Sequence, residues 1–131
     1  MIAVDTNLLV RVVVGDDEAQ TTASLRVLQS DVPVLLLNSV LLETAWVLKS
    51  IYGIPPGEIA DVLQDILRIP TVVPESSDIC AAVAWYRDGM DFADALHLAG
   101  AAARCEKLAT FDATFARKAK GKSSCEVFRP D

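Results

Sequence analysis

The 131-residue sequence contains one histidine and three cysteines, and no uncharged run approaches membrane-spanning length. The most conspicuous apolar stretch, Val32 to Leu42, falls well short of the roughly 20 residues that a spanning helix needs. Cys80, Cys105 and Cys125 are odd in number and form no Cys-x-x-Cys pair, which argues against a disulfide framework or a zinc site. They read as reduced thiols, mostly buried. Basic residues are outnumbered 12 to 18, giving a formal charge of −6, so broad electrostatic adhesion to nucleic acid is excluded while a local site is not. There is no GxGxxG fingerprint and no nucleophile elbow, so dehydrogenase and serine-hydrolase readings lack their motifs. Gly121-Lys122-Ser123 resembles the end of a phosphate loop, but Ala116 stands where that loop requires glycine. No basic leader with an apolar region precedes the first strand residues, which predicts a cytoplasmic protein.

What is present is apolar: 52% of residues are hydrophobic and the mean hydropathy is +0.34, above the composition usual for soluble domains. A chain of this length fits one domain, spanning residues 1–131, and the surplus apolar surface points to a protein partner. Met1-Ile2-Ala3-Val4 reads as a short buried strand. Helical spacing follows from Asp17 to Ser30, then a strand at Val34 to Leu37 after Pro33. Ser39 is placed to cap a helix through Tyr52 that Gly53 and Pro55-Pro56 stop. A helix from Gly57 to Leu67, a strand between Pro70 and Pro74, and a helix capped by Ser76 or Ser77 and running toward Arg87 come next. Asp91 or its neighbour opens an alanine-rich helix, Lys107 to Thr110 forms a strand, and Glu126-Val127-Phe128 a last one. Strands alternating with helices predict right-handed βαβ units and a three-layer α/β/α sandwich with a central parallel sheet.

Asp5 follows the first strand at once, and Asp112 follows the strand ending at Thr110. In open parallel sheets the carboxyl edge is where ligands bind, so both acids are expected there. Glu43 lies in an apolar helix, and Asp94 sits three residues after Asp91 on one helix face. Two like charges near 4 Å repel by roughly 4 kcal/mol at an effective dielectric of 20, so a cluster of these acids needs protons or cations. Oxygen ligands without His or Cys favour Mg²⁺ or Mn²⁺.

Asp5-Thr6-Asn7, Ser39 to Glu43, Asp91 to Ala95 and Thr110-Phe111-Asp112, taken in order, resemble a PIN-domain nuclease over nearly the whole chain. The compact length and Phe92-Ala93-Asp94-Ala95-Leu96 resemble the VapC-type ribonuclease toxins of toxin–antitoxin pairs. The resemblance implies Mg²⁺- or Mn²⁺-dependent endonucleolytic cleavage of RNA by metal-activated water, with Asp5, Glu43, Asp94 and Asp112 as catalytic and metal-binding residues. It further implies a cognate antitoxin and a homodimer as partners. Thr6, Asn7 and Thr110 are expected to donate hydrogen bonds that fix the carboxylates. Asp91 competes with Asp94 for the third acid position, and Ala95-Leu96 favours Asp94.

Plainer roles stand beside these. Asp91 reads as a helix cap, His97 as a satisfied packing histidine, and Arg117 to Lys122 as a solvated tail. Arg11 and that basic run are the candidates for RNA backbone contact. Trp46, Trp85 and Tyr86 read as core or interface. Three other functions fit the same residues: a PIN processing nuclease without antitoxin, an Asp-dependent phosphotransfer domain, and a non-catalytic binding domain. The second lacks the further acid two residues after Asp5 that such phosphatases use.

Overall fold

The computed structural model describes residues 1–131, which divide into two compact units, Met1–Ser77 and Asp78–Asp131. The first is built on three parallel strands, β1 (Ile2–Ala3), β2 (Val34–Leu36) and β3 (Val72–Pro74), in the order β1-β2-β3. Ile2 lies opposite Val34 and Ala3 opposite Leu35, while Leu36 lies opposite Pro74. Val34 and Leu36 on the central strand are fully buried.

A helix that the sequence pattern does not predict begins directly after Asp5: α1 (Thr6–Val14). Its run of β-branched valines disfavours helix, but the ends are strongly specified. Asp5 accepts the Leu8 amide at the N-terminus, and Gly15 closes the C-terminus in the left-handed conformation, φ 67°, with its amide on the Arg11 carbonyl. Leu9 and Val10 point into the core, so burial reinforces what the caps begin. Next comes α2 (Glu18–Leu28), N-capped by Asp17.

Helix α3 (Asn38–Ser50) starts two residues earlier than the Ser39 cap predicts, with Ser39 inside it and Leu37 at the cap position. The missing local cap is supplied from 37 residues away, because Glu75 Oε2 accepts the Asn38 amide at 2.9 Å. Helix α4 (Pro56–Leu67) begins on proline, whose missing N–H costs nothing in the first turn. Leu41, Leu48, Ile59 and Leu63 from these two helices are fully buried, each contributing roughly 1.5–3 kcal/mol of transfer free energy.

In the second unit α5 (Ile79–Arg87) packs on α6 (Phe92–Ala102), with the Tyr86 and Phe92 rings stacked at 4.9 Å. Asp78, rather than Ser76 or Ser77, precedes α5. Ala95 and Ala99 are buried on the inner face of α6, where small side chains permit close approach. Strands β4 (Lys107–Ala109) and β5 (Glu126–Phe128) pair in parallel, Lys107 opposite Glu126 and Ala109 opposite Phe128. Helix α7 (Ala113–Ala119), not predicted by the pattern, takes in the first three residues of the expected Arg117 to Lys122 tail; it is capped by Asp112 and anchored through buried Phe115 and Ala119. Every strand pair is parallel, as the alternation predicted, in a three-stranded and a two-stranded sheet. Two of the cysteines, Cys80 and Cys105, are exposed and only Cys125 is buried, a correction to the expected burial.

Candidate active site

Asp5 stands past the carboxyl end of β1, exposed, with its carboxylate turned onto its own helix: Oδ1 accepts the Leu8 amide at 3.2 Å. Thr6 is buried beneath it. Asn7 lies in the cleft between α1 and α2, among Leu8, Arg11 and Gln20. Glu43 is the sixth residue of α3, exposed, one turn before the exposed Trp46.

The same edge of the three-stranded sheet holds residues that the motifs do not single out. Glu75 follows β3 as Asp5 follows β1, and it binds the Asn38 amide. Asn38 Nδ2 donates to Ser76 Oγ at 3.3 Å, while Asn38 Oδ1 is buried without a hydrogen-bond partner. The rule that singled out Asp5 and Asp112, an acid just after a strand, applies equally to Glu75.

In the second unit three acids lie close together. Asp91 caps α6 by accepting the Asp94 amide at 3.2 Å. Asp112 caps α7 by accepting the Phe115 amide at 3.0 Å, and its own amide donates to Thr110 Oγ1 at 3.0 Å. Thr110 thus fixes the backbone at Asp112 by accepting a hydrogen bond, where a donor to the carboxylate was expected. The Thr110 amide is tied to the Phe128 carbonyl at 2.9 Å, so the loop is held from both sides.

Asp94 is the acid whose ionisation these surroundings penalise. Burial raises its pKa above the ordinary carboxylate value, the charges of Asp91 and Asp112 raise it further, and His97 partly offsets them. His97 is exposed one turn beyond Asp94 and acts there as a charge neighbour, a correction to the packing role. Arg11, a candidate for RNA contact, is already engaged. Its Nη1 meets Asp16 at 2.6 Å and its Nε donates to Gln20 at 2.8 Å, tying the α1–α2 corner.

The donors are all carboxylate oxygens, the set that hard divalent cations take. No group of three or more His, Cys, Asp or Glu side chains converges closely enough to hold an ion by itself. Two carboxylates suffice for Mg²⁺, which keeps several waters and is often bound through one or two acids. Asp94 and Asp112 fit that pattern, because a cation would offset the part of Asp94's raised pKa that comes, after burial, from neighbouring carboxylate charge.

The PIN domain family profile matches residues 2–121, and the chain belongs to that family. PIN domains are generally nucleases, hydrolases of phosphodiester bonds. The seven helices and parallel strands are consistent with the family's three-layer α/β/α fold. Among curated proteins, none matches the chain. No helix is long and apolar enough to cross a membrane.

Proposed function

We propose that the protein is a Mg²⁺- or Mn²⁺-dependent endoribonuclease, acting in the cytoplasm as the toxin of a type II toxin–antitoxin pair. The observation that carries the reading is membership of the PIN family over residues 2–121, supported by carboxylates that gather where Asp94 is partly buried beside the charges of Asp91 and Asp112. Asp5, Glu43, Asp94 and Asp112 are the residues proposed as catalytic and metal-binding, and the chain is proposed to act as a single domain. A bound divalent cation supplies Lewis-acid stabilisation of phosphoryl charge and lowers the pKa of water. The protein's own contribution is orientation. Asp5, Asp91 and Asp112 are fixed by amides at helix N-termini, and Thr110 holds the Asp112 loop. Glu43, further along its helix, orients the attacking water or adds a ligand.

Exposed apolar side chains support a protein partner. Trp46 is 61% exposed, Ile51 66% and Phe111 74%. A homodimer and a small antitoxin are the partners proposed for that surface; a short neighbouring gene encoding a DNA-binding protein distinguishes a toxin from a free-standing processing nuclease.

The deciding experiment is cleavage of labelled structured RNA and matched single-stranded DNA with Mg²⁺, Mn²⁺ or chelator, beside Asp5→Asn. The expected result is metal-dependent RNA cutting that the variant loses. Equal behaviour of the two proteins would refute the nuclease.

A further inference from the structure

The basic segment that reads as a solvated tail is folded back onto the connection between α5 and α6. Lys118 Nζ donates to the Gly89 carbonyl at 2.7 Å, and Lys122 Nζ lies 3.5 Å from the Asp88 carboxylate. The Lys122 side chain is 34% exposed. Between these groups is a cavity of about 240 Å³ lined by Trp85, Asp88, Met90, Lys118 and Lys122.

An indole beside two ammonium groups provides what a nucleotide offers binding energy to: a cationic partner for phosphate and an aromatic surface for a base. Each ammonium has three N–H donors. The Gly89 carbonyl engages one on Lys118, and Asp88 engages one on Lys122 at a long distance, so both lysines retain donors. A purely structural staple would leave no use for the cavity or for an indole in its wall.

Resting on the ribonuclease reading, we infer that this cavity is an anchoring subsite for single-stranded RNA, with Lys118 and Lys122 on the phosphate and Trp85 against the base. Lys118 stands six residues along α7 from Asp112, about 9 Å at 1.5 Å per residue. One helix thus joins the anchor to the carboxylates. The arrangement lets a chain of formal charge −6 hold a polyanion through local charge. Asp88 is the internal competitor: a phosphate must draw Lys122 away from it.

The test uses W46F protein, in which Trp85 is the remaining tryptophan of two, titrated in chelator with a short oligouridylate. Expected are quenching of Trp85 emission and, in K118Q/K122Q, about tenfold weaker binding with a log–log salt slope shallower by about 0.7 for each phosphate no longer neutralised. D88N should bind severalfold tighter, an effect opposite in sign to removal of a staple. Unperturbed Trp85 emission, unchanged binding in K118Q/K122Q, or unchanged or weaker binding in D88N would overturn the subsite. Thermal melts show whether each variant folds, and D88N decides alone if the double variant does not. Since no metal or cleavage is involved, quenching without Mg²⁺-dependent cutting by the unsubstituted protein sinks the nuclease and leaves the RNA site standing. Cutting without these binding effects sinks the subsite alone.

Discussion

Asp16 and Asp94 are carboxylates shifted in opposite directions, and the contrast sets a structural acid against one proposed to be functional. Asp16 sits at the α1–α2 corner against Arg11, whose hydrogen bond and charge hold its pKa below the ordinary value, with a further hydrogen bond from Tyr52. Its charge is already matched. Asp94 is partly buried against Asp91 and Asp112, with no cationic side chain except the weak influence of His97, and its pKa rises. One region is electrostatically complete; the other carries unmatched negative charge, which on the proposed reading a cation would offset.

The largest test of that contrast is catalytic. Asp94→Asn should lower metal-dependent RNA cleavage by about 100- to 1,000-fold or more, as loss of a group stabilising transition-state charge does, while Asp16→Asn leaves cleavage near its starting rate. A single-turnover assay on labelled RNA reads both, and equal losses would erase the distinction.

Next in size is cation binding measured as stability. At a concentration 100 times its Kd, Mg²⁺ or Mn²⁺ should stabilise the folded protein by about 2.7 kcal/mol. Asp94→Asn should remove most of this increment and Asp16→Asn none, as differential scanning calorimetry can establish. In chelator the order reverses: Asp94→Asn is expected to stabilise by up to about 1 kcal/mol, after solvent screening, through relief of repulsion. Urea midpoints test this, and a destabilised variant would contradict the repulsion argument.

The smallest effect is the pH dependence without metal, where the two acids have opposite signs. Asp94, its folded pKa raised, contributes stability present below the unfolded value and lost as pH rises through the folded value. Asp16, its folded pKa lowered, contributes stability present above the unfolded value and lost as pH falls through the folded value. Denaturation midpoints from mildly acidic to strongly acidic pH should therefore flatten on the rising side in Asp94→Asn and on the falling side in Asp16→Asn.

Much of this site was legible because it is local. Asp5 and Asp112 each follow a strand, a position visible in the letters alone, whereas the helix that each caps through an amide three residues on was not read there. Asp17 does the same for α2 and was readable as the start of a helix. The missed helices, α1 and α7, fail on local propensity for different reasons. α1 carries a valine run that disfavours helix, and α7 is a short segment whose Arg117 and Lys118 read as the start of a tail. Burial of Leu9, Val10, Phe115 and Ala119 decides both. The cap of α3 misled because Ser39 is a good local candidate, and a side chain 37 residues away took its place.

By itself the sequence determined the acids, the parallel α/β pattern and the starts of α2, α4 and α6 to within a residue, since these depend on residue chemistry and on neighbours within a turn. Only the tertiary structure decided that Asp94 feels Asp112, that Glu75 caps α3, that Arg11 is occupied by Asp16 and Gln20, and that Lys118 and Lys122 close around Trp85. Most of these interactions join distant parts of the chain. Even the nearer Arg11 pairings depend on how α1 turns into α2, so packing selects them and no local spacing encodes them.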